Sequence, residues 1–358
     1  MRRIRGRKMI KNRSPWMVLG IVLVFFAACD DGYLLDLTPE SMPGTGTWLV
    51  DEQYILWGCP GQDCIPNLTK PEMVPISSSE LAYLNDDDLV VGVRKGDEYF
   101  AFPHPILDWH EIINMGDYTI SYCPLTGSAI HIDDDRGFGV SGMLYNSNLI
   151  MYDKESNSFW PQMFLRSAAG EFRSEELVLD RMVETTWGTW RRLFPETKAV
   201  SSNTGYSRNY YAYPYGSYKT DASVYFPVNN FDSRLHAKKR VLGVEVEGET
   251  RAYKVDDFDS STQVIHDELA NKSVVLFGSQ KYNFAVAYLS NKQFSVKTID
   301  LDSSTLLFTD DETGSDWNIF GEAIAGPATG EHLELAKSYI SYWFAWAAFN
   351  PETTIWEN

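Results

Sequence analysis

The feature that most narrows what this chain can fold into is an internal match between its two halves. Asp88-Leu89-Val90-Val91-Gly92-Val93 answers Arg240-Val241-Leu242-Gly243-Val244, and Ala101-Phe102 answers Ala252-Tyr253, at an offset of 151 positions. His110-Glu111 answers His266-Asp267 at 156, and Asp153 and Trp160 answer Asp310 and Trp317 at 157. Trp187, Trp190, Pro195, Glu196 and Thr197 answer Trp343, Trp346, Pro351, Glu352 and Thr353, again at 156. A common order at a near-constant offset is the signature of a duplication. The expected architecture is α+β and strand-dominated, with two diverged tandem copies of one β-rich domain at residues 88–202 and 240–358. Each is of ordinary domain size.

The apolar runs Val90–Val93, Tyr118–Tyr122, Leu149–Tyr152 and Val274–Phe277 predict strands. Each copy is expected to close on a short Trp-x-x-Trp helix, the first capped by Thr185-Thr186 and stopped by Pro195. The paired tryptophans read as anchors of that helix to its sheet. Between the copies, residues 203–239 hold seven tyrosines, Tyr206, Tyr210, Tyr211, Tyr213, Tyr215, Tyr218 and Tyr225. A flexible linker avoids aromatics. The segment is expected to be an ordered crossover packed over both copies, with an aromatic platform for a sugar as the functional alternative.

Residues 1–15 carry seven basic residues and no acid, and an apolar run follows from Trp16 to Ala28. This is the pattern of a signal peptide over residues 1–28. Phe26-Ala27-Ala28-Cys29 resembles a lipobox, which makes Cys29 the expected lipidation site; a plain cleaved signal or short anchor is the alternative. The formal charge is −18, from 31 basic and 49 acidic residues. Cleavage before Cys29 removes seven positive charges and leaves 24 basic against 49 acidic residues, or −25. Such an acidic chain repels phosphate backbones, so nucleic acid is excluded as a partner. The expected setting is the bacterial cell envelope, on the extracytoplasmic side of a membrane reached through a lipid anchor. After the first thirty residues no apolar window is long enough for a membrane span. Within the N-terminal extension at 29–87, Cys59 and Cys64 are placed to close a small disulfide loop. That leaves Cys123 unpaired.

Reactive residues concentrate around this last cysteine. Trp109-His110-Glu111 precedes Tyr122-Cys123-Pro124-Leu125-Thr126-Gly127 by a short interval. A histidine beside a cysteine can hold a thiolate as an ion pair or share a metal with it. Pro124 at a first helical position would add backbone N–H groups aimed at the sulfur. Glu111 is a candidate to orient the imidazole. The alternative is a buried, inert Cys123 with His110 bonded to local backbone. The second copy keeps His266-Asp267 but has Val275-Leu276-Phe277-Gly278 where the cysteine falls, so any thiol chemistry belongs to the first copy. Asp133-Asp134-Asp135 reads as a solvated turn rather than a calcium loop. No metalloprotease, phosphate-loop or nucleophile-elbow motif is present.

Asp108–Asn114, Tyr122-Cys123-Pro124-Leu125, Phe138–Gly142, Tyr145-Asn146-Ser147, Met151-Tyr152-Asp153, Gly205–Arg208 and Trp343–Phe349 together resemble the bacterial domain of unknown function 3179. The resemblance covers roughly residues 52–356. That family commonly shows Cys-Pro-x-Cys-Gly at the place of Cys123–Gly127, sometimes with selenocysteine, which implies a redox or metal-handling thiol pair. Here Thr126 replaces the second cysteine, leaving one thiol with a hydroxyl nearby. Two functions are therefore expected to compete. One is a site of Cys123, His110, Glu111 and Thr126 for thiol redox chemistry, or of Cys123 and His110 for a soft metal such as copper, with a small-molecule or protein-thiol partner. The other is a non-catalytic lipoprotein that holds a glycan or small ligand on aromatic side chains in a cleft between the two copies.

Overall fold

Val90, Val91 and Val93 around Gly92, and Val241, Leu242 and Val244 around Gly243, form the central strands of two sheets with the same strand order. The computed structural model describes residues 48–258 and 262–357, so the expected signal peptide and Cys29 lie outside the described residues. In the first sheet the order is Val183–Thr186, Leu89–Lys95, Glu98–Pro103, Lys198–Val200 and Met73–Pro75. In the other it is Lys337–Tyr342, Arg240–Val246, Glu249–Lys254 and Thr354–Ile355. In both, only the short strand that follows the helix runs parallel to its neighbour.

Among the described residues strands dominate, and three seven-residue α-helices accompany them: α1 (His104–His110), α2 (Trp187–Leu193) and α3 (Trp343–Phe349). The Thr186 side chain caps α2 by accepting from the Thr189 N–H, and Pro195 lies just past the end of that helix. The indole N–H of Trp190 donates to Thr197 Oγ1 at 2.9 Å, and that of Trp346 to Thr353 Oγ1 at 2.8 Å. Each ring lies flat over a glycine of its central strand. A Cβ on Gly92 would stand 2.1 Å from the Trp190 ring, and one on Gly243 would stand 2.2 Å from that of Trp346. Glycine is required there because the ring occupies the space of a side chain. Asp153 and Asp310 each accept an indole N–H, from Trp160 at 2.9 Å and Trp317 at 2.7 Å, inside a tight turn.

Two further ladders correspond in the same way. Ile112–Asn114, Thr119–Cys123 and Ser128–Ile132 form one antiparallel ladder, and Thr262–Leu269, Lys272–Ser279 and Phe284–Leu289 form another. His266 lies exposed along a strand, whereas His110 ends α1 and is buried. The two histidines therefore match in sequence but not in setting. The described part of the N-terminal extension is not an appendage. It contributes an edge strand to each of three sheets: Ile55–Trp57, Leu68–Thr69 and Met73–Pro75. Cys59 and Cys64 are disulfide-bonded within it.

Residues 203–239 form neither helix nor strand. Tyr210 and Tyr218 are buried, and Tyr213, Tyr215, Val224 and Phe226 pack against a core shared by both halves, while Tyr206, Tyr211 and Tyr225 are exposed. The segment is an ordered strap. Among the described residues, no helix is long and apolar enough to cross a membrane.

Candidate functional site

Alternation along Thr119–Cys123 decides what Cys123 can meet. Successive side chains of a strand point to opposite faces. Tyr122 joins one core, and Cys123 joins the other, among Ile112, Ile130 and Leu149. The thiol is 1% exposed, and its sulfur accepts the Leu149 N–H at 3.4 Å. Burial, and then the charge of Glu111, push it up to about 11, against smaller opposing effects of the Thr126 hydroxyl and the Leu149 and Thr126 backbone. The N–H groups near the sulfur come from a turn and a neighbouring strand. Pro124–Gly127 is a hairpin turn closed by the Gly127 N–H on Cys123 O, not the first turn of a helix, because Gly127 takes a φ of 58° and the chain reverses at once into Ser128–Ile132.

His110 is occupied elsewhere. Its Nδ1 lies 2.7 Å from Pro66 O and its Nε2 2.7 Å from the Tyr210 hydroxyl, so neither ring nitrogen is left for the sulfur. Burial lowers its pKa to about 4, which leaves a neutral imidazole. The expected thiolate–imidazolium pair is not assembled in this arrangement. Glu111 terminates α1 with a φ of 57° and does not orient His110; its carboxyl is pushed up to about 8 by burial and by Asp108. Thr126 belongs to a buried polar network, sharing a hydrogen bond with Ser128 and accepting from Asn148, with Gln162 and Ser121 completing it. Among the described residues, no group of three or more His, Cys, Asp or Glu side chains is placed to hold a metal ion. Asp134 pairs with Arg136.

With Cys29 replaced by serine and the Cys59–Cys64 disulfide intact, a thiol reagent at pH 8 is expected to leave the folded protein unlabelled. One thiol per chain should appear only on unfolding; rapid labelling of the folded protein would contradict the burial of Cys123.

The other face of the same strand opens on a cavity of about 360 Å³, where the strap meets both halves. His104 and Asp108 stand four residues apart on α1, on one side of the helix. Glu184 comes from Val183–Thr186, Arg240 and Tyr342 from the second half, and Tyr213, Lys219 and Lys238 from the strap or its end. The ring of His104 packs on Tyr122 at 4.2 Å between centroids. Each carboxylate is held at one oxygen by a cation. Lys219 Nζ is 2.9 Å from Asp108 Oδ2, and Arg240 pairs with Glu184 Oε1. The remaining atoms, Asp108 Oδ1, Glu184 Oε2, His104 Nε2 and the Tyr213 hydroxyl, are buried with no hydrogen-bond partner among the described residues. His104 Nε2 and Glu184 Oε2 stand 3.6 Å apart, too far for a hydrogen bond.

These environments divide the two acids. Burial raises Asp108, and Lys219 only partly opposes it. Burial also acts to raise Glu184, but Arg240 and His104 outweigh it and hold that carboxyl below the usual range. The cavity therefore offers two carboxyls shifted in opposite directions, beside an imidazole and a phenol. Of these residues, sequence motifs touch only Asp108 and the tyrosines. The one signal in the sequence for His104 is its spacing from Asp108.

Compared with known families, the sequence matches the one described as Protein of unknown function (DUF3179) over residues 62–353. The chain belongs to the DUF3179 family. The match takes in the strap, the cavity and the hairpin that carries Cys123, so in this DUF3179 protein both candidate sites lie inside the family domain. Neither a curated protein nor a solved structure matches the chain.

Proposed function

We propose that this protein is a lipid-anchored protein of the bacterial envelope that binds a small polyhydroxylated ligand, a sugar or short glycan, in the cavity beneath the tyrosine strap. The observation that carries the reading is that four residues with a buried polar atom lacking a hydrogen-bond partner among the described residues, His104, Asp108, Glu184 and Tyr213, line one cavity. An unpaired buried polar group costs about 1–3 kcal/mol, and a ligand hydroxyl placed among these groups repays it. Tyrosine faces from the strap and from Tyr342 supply the apolar walls that sugar rings pack against.

Anchoring through Cys29 after removal of residues 1–28 is supported by the basic start, the short apolar run and the Phe26-Ala27-Ala28-Cys29 sequence. The Cys59–Cys64 disulfide is in keeping with an oxidising compartment. Two tandem copies of one ancestral domain are supported by the shared strand order, the matched Gly92–Trp190 and Gly243–Trp346 contacts and the paired Asp–Trp turns. On this reading the site arose at the seam between the copies. Thiol redox chemistry or copper binding at Cys123 and His110 would require both groups to leave their present partners, and the cavity needs no such change.

The test is a titration by saturation-transfer NMR with hexoses, hexuronates, hexose phosphates and disaccharides. At least one class is expected to bind, and Glu184→Gln is expected to weaken it about tenfold or more, the loss of one charged hydrogen bond. Binding of none, or binding indifferent to Glu184→Gln, would refute the reading.

A further inference from the structure

We propose that the ligand of this cavity carries an anionic group, and that Lys238 is the residue that recognises it. The inference rests on the binding function proposed above. Lys238 is 6% exposed, which is rare for lysine unless it is paired. Its ammonium lies 3.6 Å from the centroid of the Tyr218 ring and donates to the carbonyls of Ser223 and Asp221. Three other cations line a cavity with it, and each has a carboxylate: Lys219 has Asp108, Arg240 has Glu184 and Lys239 has Asp256. Lys238 has none within ion-pair distance among the described residues; Asp221 acts on it only from farther off.

Lys238 is therefore the one cation of these four without an ion-paired carboxylate among the described residues, in a chain whose formal charge is −18. It lines both the cavity beneath the strap and an adjoining one of about 520 Å³ that contains Lys239 and His236. Two of the three ammonium N–H donors are taken by carbonyls and the Tyr218 ring covers the ammonium, so a ligand anion would take the place of one of these contacts. A carboxylate or phosphate at that position would give the buried ammonium the ion pair that the described residues do not. Burial brings the ammonium down to about 8, against a smaller raising effect of Asp221. A purely structural lysine would leave anionic and neutral ligands equally bound, which is what the experiment separates.

Calorimetric titrations of the full-length protein with galacturonate, glucose 6-phosphate and galactose provide the test. The wild type is expected to bind one of the two acidic sugars at least tenfold more tightly than galactose, and the acid that wins tells carboxylate from phosphate. Lys238→Met is expected to erase that preference, and Lys238→Arg to keep it. Equal affinity for acidic and neutral sugars in the wild type would overturn the inference and leave the binding function standing. So would a preference that survives in Lys238→Met. Binding of none of the three would instead count against the binding function itself. Should Lys238→Met fail to fold, the wild-type preference and Lys238→Arg still decide.

Discussion

Trp190→Ala and Trp346→Ala are each expected to lower stability by about 3–5 kcal/mol, the range for truncating a fully buried large aromatic. Both indoles are essentially unexposed, at 0% and 1%. Each removal opens a void against a glycine that has no side chain to fill it, Gly92 in one case and Gly243 in the other. Each also takes a hydrogen-bond donor from a buried threonine, Thr197 or Thr353. Trp190 further loses its packing on Phe194 and on Phe320 from the second half. The measurement is the urea midpoint of each variant at unchanged slope. A loss below about 1 kcal/mol in either variant would show that the ring is a surface filler rather than an anchor.

Glu111→Gln is expected to stabilise the protein at alkaline pH and to flatten its pH dependence. The folded-state pKa of Glu111 is pushed up to about 8 by burial and then by Asp108, from an ordinary 4.5. A raised pKa means that the folded chain holds the proton more tightly than the unfolded one. The stability that comes with the neutral carboxyl is complete below about pH 4.5 and is lost as the pH climbs through about 8. A tenfold difference in proton affinity is worth about 1.4 kcal/mol, so the penalty at pH 9 is on the order of a few kcal/mol. Glutamine keeps the shape and never ionises. His110 and His131, lowered to about 4 by burial, act in the opposite sense toward acid, but they are common to both proteins and cancel in the difference. Denaturation of both proteins at pH 5, 7 and 9 is the check. Parallel curves would contradict a buried, proton-holding Glu111.

Much of the fold was legible because its causes are local. The valine-rich run about Gly92 read as a strand and is one, the matching run about Gly243 forms the same strand in the second half, and Thr186 and Pro195 marked the ends of α2. The Cys59–Cys64 loop followed from two cysteines in a turn-rich stretch. The site was less legible because its causes are not local. His110 and Cys123 are close in sequence, yet a helix end turns the first toward Pro66 and Tyr210, and strand alternation turns the second into the opposite core. Glu184 and Arg240 come from strands far along the chain and reach His104 and Asp108 only because the sheets place them there. The tyrosines of 203–239 pointed to the right region, since an aromatic segment between two halves has to pack on both. Their number could not say that a cavity remains beneath them.

The proposed binding function stands or falls with the unpartnered groups under the strap being the contacts of a ligand. A crystal structure of the protein soaked with the tightest-binding sugar from the NMR titration tests this directly. Ligand oxygens are expected within hydrogen-bond distance of Asp108 Oδ1, Glu184 Oε2 and His104 Nε2, with Tyr213 or Tyr342 against the ring. A sugar bound elsewhere, with these side chains bonded to one another across a closed cavity, would contradict it.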